Sequence, residues 1–380
     1  MSSAASRPAL DGLRVLDLST VLAGPHCARY LADFGADVIK VERPDGGDSL
    51  RSIAWRDPAD GVSLWWKIAS RNKRCVALDL KDPRDVDVLL QLVESTDVLI
   101  ENFRPGTLER LGLGPEVLLA RRPSLVLTRV TGFGQTGPYA HRPGFATIAE
   151  SMSGLASITG MPDGAPLLPA IALTDEVTAL VAAFATMVAL HSGVGQVVDV
   201  SLLESVFQIM GPLISAYLTQ GYLQPRLGAG LPYSTPRGTY QCSDGKWVGM
   251  SASSNSVAAR VMQLLDVADD PRFATFEARM ANRDAIEQIM GDWCAQRTQD
   301  EVLAAFENAE AAIGPVMDMA DIAQDPHYVA RESIVRVEGF PMQGLVAKLS
   351  ATPGVLRWVG RDLDADGDEI RRTGWGERAR

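Results

Sequence analysis

A chain of 380 residues exceeds the roughly 250–300 at which single cores stop growing, so two domains are expected. With 46% apolar and 22% charged residues, it has the material for a sizeable interior and none of the bias of a disordered chain. Its 36 Lys and Arg against 47 Asp and Glu leave a formal charge of −11, a surface that repels nucleic-acid phosphates and anionic lipid, so neither nucleic acid nor membrane is an expected partner.

Residues 1–9 lack the charged start and apolar run of a signal peptide, which predicts a cytoplasmic protein. From residue 13 to 41 a short apolar run, a Gly24-Pro25 turn, a helical stretch and a second apolar run follow one another, a strand–helix–strand unit. The rhythm recurs with strands at 74–80, 97–101 and 124–130 and helices at 83–95 and 105–111. Such alternation predicts a parallel sheet covered by helices on both faces. A helix-rich segment spans 145–222, of a composition that suits helices buried in a core or a subunit interface, and its most apolar stretch, 180–190, is too short for a bilayer and reads as a buried helix. Pro and Gly enrichment at 224–235 marks a domain edge. Beyond it the pattern predicts strands at 238–242 and 246–250, helices at 256–265, 285–295 and 300–308, and strand-like runs at 334–337 and 344–349 that could rejoin the first sheet. The last fifteen residues are charged and expected to fray.

Several motifs invite chemistry. Gly132-Phe-Gly-Gln-Thr-Gly137 fits the dinucleotide fingerprint after a strand, but Pro138 and Pro143 crowd the place where the phosphate-binding helix should run, so it reads as a glycine loop serving another purpose. Basic residues gather after strands at Lys40, Arg43, Arg71, Lys73, Arg74, Lys81, Arg104 and Arg110, a pattern that suits an anionic nucleotide or, equally, a solvated surface. Asp175 stands between the apolar run 167–173 and a helix beginning at Glu176, where a carboxylate either caps the helix or serves as a partly dehydrated nucleophile. His26 and His141 are candidate bases without an evident partner. Four scattered Cys and four scattered His give no metal-ligand spacing. The nucleophile elbow and the P-loop are both absent, which disfavours hydrolysis and phosphoryl transfer.

Residues 10–355 resemble the class III CoA transferases, the CaiB/BaiF group that includes formyl-CoA and carnitine CoA transferases and is related to the α-methylacyl-CoA racemases. The resemblance lies in Leu10-Asp-Gly-Leu-Arg-Val-Leu-Asp-Leu-Ser19, Ala23-Gly-Pro25, Gly35-Ala-Asp-Val-Ile-Lys-Val-Glu42, Asn72-Lys-Arg74, Leu78-Asp-Leu-Lys81, Glu101-Asn-Phe-Arg-Pro-Gly106 and Gly132-Phe-Gly-Gln-Thr-Gly-Pro-Tyr139. It implies an α/β fold with a Rossmann-like large domain (1–222, completed by 326–380), a smaller α+β domain (223–325) and an interlaced homodimer. It further implies that Asp175 is the nucleophile moving CoA from an acyl-CoA to a carboxylic acid through a mixed anhydride and an aspartyl-CoA thioester. Coenzyme A is then part of the substrate, and no tightly bound cofactor is expected. Carried over position by position, Leu22, Ala23, Arg43, Leu78, Lys81, Asn102 and Arg110 are expected to meet CoA, and Phe145 the substrate.

The chain departs from the family pattern in three places. Arg142-Pro-Gly-Phe-Ala146 lacks the His-Asp pair of the racemases, which disfavours the alternative of an acyl-CoA racemase or epimerase. Formyl-CoA transferase has a carboxylate where Ala146 stands and a mobile glycine loop where this chain reads Gly249-Met-Ser-Ala-Ser-Ser-Asn255. The usual C-terminal Leu-Gly-Glu-His stretch is missing. A silent CoA-binding homologue is the remaining alternative.

Overall fold

The computed structural model describes residues 7–252 and 254–376. Its elements run β1 (Arg14–Asp17), α1 (Ala23–Asp33), β2 (Asp37–Glu42), α2 (Leu64–Ala69), β3 (Lys73–Ala77), α3 (Pro83–Val93), β4 (Val98–Glu101), α4 (Thr107–Arg110), α5 (Pro115–Arg121), β5 (Val126–Thr131), α6 (Ala146–Met152), α7 (Leu155–Ile158), α8 (Leu173–Ser192), β6 (Gln196–Ser201) and α9 (Leu202–Gln208). All six strands pair in parallel in the order β3-β2-β1-β4-β5-β6. The sequence reading placed five of them and missed β6.

Central strands are buried on both faces, and alternate residues feed two cores. Val15, Val38 and Ile100 point to the cluster shared with Cys27 and Leu31 of α1 and Ala179 and Ala182 of α8. Leu16, Ile39 and Leu99 point to the other, with Leu89 and Leu92 of α3 and Leu118 of α5. The predicted buried helix at 180–190 is the middle of α8, and within the single chain only one of its faces is buried. Its inward face is small, Thr178, Ala179, Ala182, Ala183, Thr186 and Ala189, while Leu180, Phe184 and Val188 are 53%, 72% and 53% exposed.

Two compact units emerge: residues 1–155, 169–211 and 327–380, and residues 156–168 and 212–326. The second unit takes in 156–168 and resumes at Pro212, ahead of the Pro/Gly-rich stretch; φ of +59° at Gly211 breaks the chain there, before α10 (Leu213–Gln220). This unit contains an antiparallel sheet of β7 (Arg237–Gln241), β8 (Trp247–Ser251) and β9 (Ile313–Pro315). Against it lie α11 (Asn255–Leu264), α12 (Phe276–Ala281), α13 (Arg283–Ala295) and α14 (Gln299–Asn308), around Val248, Ile286, Met290, Val302 and Phe306. Of the segment compared with the mobile glycine loop, Gly249 to Ser251 belong to β8 and Ser254 caps α11, while Ser253 lies outside the described residues.

After α15 (Met319–Gln324) and α16 (Pro326–Ala330), β10 (Ile334–Val337) pairs only with β11 (Phe340–Gln343), so the run at 334–337 does not rejoin the first sheet and 344–349 forms no strand. The C-terminal stretch is also firmer than expected. It forms α17 (Gly367–Thr373) and buries Trp375. Asp366 accepts the Cys75 N–H and Asp364 the Ala77 N–H, each at 2.8 Å. These carboxylates satisfy donors on edge strand β3 that would otherwise invite another strand; residues 377–380 lie outside the described residues.

Candidate active site

In the strand order, β1 and β4 are neighbours from which the chain proceeds in opposite directions, and ligands of open parallel sheets bind at the carboxyl ends of such strands. The loops leaving β1 and β4 are tied across this point. Asn102 accepts the Thr20 N–H at 2.8 Å and donates to the Thr20 carbonyl at 2.7 Å. Beside them a groove of about 590 Å3 is lined by Leu18, Thr20, Arg43, Leu78, Lys81, Phe103 and Leu111, among others. Three predicted CoA residues, Arg43, Leu78 and Lys81, thus meet in one groove, with Asn102 bracing its rim. Arg110, bonded to the Thr107 hydroxyl at 2.8 Å, precedes the groove residue Leu111. Leu22, Ala23 and Phe145 are not among its lining residues. Ala23 packs into the core, Leu22 immediately precedes α1, and Phe145, 69% exposed, immediately precedes α6.

Most of the other basic residues do different work. Lys40 and Lys73 lie inside β2 and β3, and Arg71 and Arg74 near the amino end of β3, not after strands. Arg71 and Arg74 pair with Asp33 and Asp37. Lys40 and Lys73 are fully buried around Asp17, with Lys73 Nζ 2.8 Å from its carboxylate. Burial alone would push the Asp17 carboxyl up, but the two ammonium groups outweigh it and hold it below the usual range. Lys40 also reaches the Ser19 carbonyl and Asp48, and Asp48 accepts the Val21 N–H at 3.2 Å. The network thereby fixes a turn in which Val21 has φ of +67°, costly for a β-branched residue.

Asp175 is the third residue of α8, whose first is Leu173 and whose flanking Ala172 provides no side-chain cap. The sequence reading, in which the helix began at Glu176 and Asp175 could cap it, is corrected: the carboxylate lies within the first turn. Because α8 is the crossover between parallel β5 and β6, that turn lies at the carboxyl edge of the sheet, as does the start of α1. Burial pushes the Asp175 carboxyl up to about 6, helped by the negative Glu176 and Glu150. Among the described residues no donor hydrogen-bonds to it. Glu150 of α6 is itself buried and accepts from the Thr174 hydroxyl at 2.9 Å.

Glu176 faces α1. Its Oε1 lies 2.5 Å from His26 Nδ1, and its Oε2 accepts from Tyr30 at 3.0 Å and lies 3.7 Å from Arg29. Burial depresses the basicity of His26 despite the carboxylate beside it. The sequence marked His26 but missed its companions. Their signal was the spacing 26, 29, 30, one face of α1. His141, by contrast, is exposed, and the structure brings it to none of these groups.

The glycine fingerprint is a packing device. A Cβ on Gly132 would lie 2.7 Å from Gly144 Cα, so two backbones touch there. Thr131 Oγ1 accepts the Gly134 N–H, Asp199 accepts that of Gln135, and no helix starts in the loop. Among the described residues no group of three or more His, Cys, Asp or Glu could hold a metal ion.

Residues 10–366 match the family described as CoA-transferase family III. The chain is 40% identical to succinyl-CoA–D-citramalate CoA-transferase of Chloroflexus aurantiacus, across 97% of this chain and 95% of that protein. It is 33% identical to succinyl-CoA:glutarate CoA-transferase of Homo sapiens, across 92% and 80%. Its fold matches a crystal structure of a CAIB/BAIF family protein from Brucella suis with a TM-score of 0.86 and 32% identity, covering 96% of this chain and 99% of that one.

Proposed function

The chain belongs to CoA-transferase family III and is an enzyme, and from that premise we propose that it moves CoA from succinyl-CoA to a short dicarboxylic acid with Asp175 as the nucleophile. The observation that supports this most is the Asp175 carboxylate itself: partly dehydrated, without a donor to blunt its lone pairs, and set at the carboxyl edge of the sheet with its carboxyl up at about 6. Such a group is still mostly ionised at neutral pH and more nucleophilic than a solvated carboxylate.

Attack of Asp175 on the thioester carbonyl forms a mixed anhydride and releases CoA thiolate. The thiolate attacks the aspartyl carbonyl, giving aspartyl-CoA thioester and the free donor acid. The acceptor carboxylate then opens that thioester to a new mixed anhydride, and the thiolate attacks the acceptor's acyl carbonyl to regenerate Asp175. Every step conserves an activated acyl group, so no ATP is needed, and water must be excluded throughout. The CoA nucleotide occupies the groove of Arg43, Leu78 and Lys81, with Asn102 and Arg110 at its border. Leu22 and Ala23 flank the path of pantetheine over the start of α1, and Phe145 borders the acyl group. CoA enters as substrate, and no other cofactor takes part. Two copies interlace as a homodimer in the cytoplasm.

Hydroxylamine added during turnover should convert the activated aspartyl to a hydroxamate that peptide mass mapping places on Asp175. Transfer of CoA with no modification there, or with the adduct on another carboxylate, would overturn the assignment.

A further inference from the structure

We infer that the cavity of about 660 Å3 at α1, α2 and the first turn of α8 receives the second carboxylate of the acid, with Arg29 and His26 as its donors. The inference rests on the transfer reaction proposed above and adds to it the residues that select the acid.

Glu176, the neighbour of Asp175, and Leu180 one turn later line this cavity, as do His26, Arg29 and Tyr30 of α1. Asp175 is not itself among its lining residues but shares the first turn of α8 with Glu176, which is. His26 is 1% exposed and its Nε2 has no hydrogen-bond partner; Arg29 is 8% exposed and its Nε has none. Buried donors are almost always satisfied, so two unpartnered ones on the wall of one cavity call for an acceptor. Arg29 is ion-paired with Glu176, but at 3.7 Å the two are beyond hydrogen-bond reach, so the pair leaves guanidinium donors for a ligand. Its guanidinium is steadied by the Tyr30 ring, 4.5 Å away. Arg71 lines the same cavity but is already committed to Asp33 at 2.7 and 3.0 Å and to the Gln343 carbonyl at 2.8 Å.

A planar guanidinium beside a second nitrogen donor matches a carboxylate. Leu64, Trp65 and Ile68 of α2 supply apolar wall, which strengthens such a pair by lowering the local dielectric. Glu176, Arg29, Asp33 and Arg71 balance in charge, so an entering carboxylate meets no net negative charge among them. A monocarboxylic acid of the same length leaves both donors buried and unpaired, and sites built on hydrogen bonds discriminate strongly against such analogues.

The test uses the full-length protein with succinyl-CoA and two acceptors of matched length, glutarate and its monomethyl ester. In a ping-pong sequence the kcat/KM of each acceptor is independent of the donor half-reaction, so their ratio reports the acceptor alone. Wild-type enzyme should favour glutarate, and Arg29→Met should cut that ratio by on the order of 30-fold or more, through the KM of glutarate, with the ester unchanged. Arg29→Lys should recover part of it. His26→Gln gives a second reading if Arg29→Met does not fold. Equal loss for both acceptors, or no change in the ratio, would overturn the subsite. A hydroxamate on Asp175 together with equal rates for the two acids would remove the subsite and spare the nucleophile; no transfer and no hydroxamate would remove the proposed reaction itself.

Discussion

At the scale of single residues, the decisive quantity is how dry one carboxylate is. Asp175 titrates near 6 because burial disfavours its anion and because Glu176 and Glu150 add negative charge, so activity that requires the anion should fall with acid. We expect kcat/KM to drop about tenfold per pH unit below about 6, and a profile flat down to pH 4.5 would refute that. The same shift has a stability consequence. A carboxyl whose folded pKa lies above its unfolded value near about 4 makes its favourable contribution in acid and loses it as pH rises through about 6. The ionised group is then a burden at pH 7–8, at most about 3 kcal/mol and, since the side chain is partly exposed, about 1–2. Asp175→Asn should therefore melt higher than wild type at pH 8, lose that advantage at pH 4, and lose at least about 10³-fold in turnover. A variant less stable at pH 8 would mean that the carboxylate supports the helix. Asp175 was legible in the sequence from its place after an apolar run and from the family resemblance. Its partial dehydration stood there as one alternative to a capping role; the negative charge of Glu150 was not legible, because Glu150 lies 25 positions away and only folding brings it near.

At the scale of elements, what the sequence conveyed depended on contrast. Strands β1, β2 and β4 are short runs rich in Val, Leu and Ile, and β3 and β5 extend into such runs at Val76 to Leu80 and Leu125 to Leu127, all bounded by turns, so they were readable. Strand β6, Gln196-Val-Val-Asp-Val-Ser201, is an edge strand with alternating exposure that leads directly into α9; the Gly193-Val-Gly195 turn, with φ of +70° at Gly193, sets it apart from α8, but the strand was absorbed into a segment read as helical throughout. The basic residues were visible, but sorting them into groove and interior required the register. Val38 lies beside both Val15 and Lys73, which brings the Lys73 side chain to Asp17. That buried trio holds the turn at Val21 between the carboxyl ends of β1 and β2. Asp17→Ala leaves the Lys73 ammonium buried without its counterion, while Lys40 keeps Asp48 at 3.3 Å, and the unpaired charge costs about 3–5 kcal/mol. We expect the denaturation midpoint of the large unit to fall accordingly; a change under about 1 kcal/mol would show that water relieves the lysine. Gly132→Ala tests the backbone contact with Gly144 in the same way, with an expected loss of about 1–3 kcal/mol. The double variant Gly132→Ala, Gly144→Ala should be non-additive, because both substitutions fill one gap.

For the whole molecule, the question is what α8 presents outward. By length and composition this helix passes for a membrane span, with 20 residues and a mean hydropathy of 1.6. Its role in the sheet argues against that reading. Thr128 and Thr186 share a hydroxyl hydrogen bond of 2.6 Å, Ala179 and Ala182 are fully buried in the α1 core, and the helix is the covalent link between paired β5 and β6. Pulling it into a bilayer would dismantle the unit that carries Asp175. The large outward side chains Leu180, Phe184 and Val188 recur every four residues along one stripe, and apolar surface so concentrated usually meets another protein surface. A second copy of the chain is the partner that the proposed homodimer supplies. Phe184 and Val188 lie below the first turn and do not line the cavity, so Phe184→Asp with Val188→Asp separates assembly from chemistry at the site. Light scattering at micromolar concentration should give wild-type protein the mass of two chains and this variant the mass of one. Equal masses for the two would assign the stripe to something other than self-association, and co-sedimentation of the wild type with anionic vesicles would restore the membrane reading.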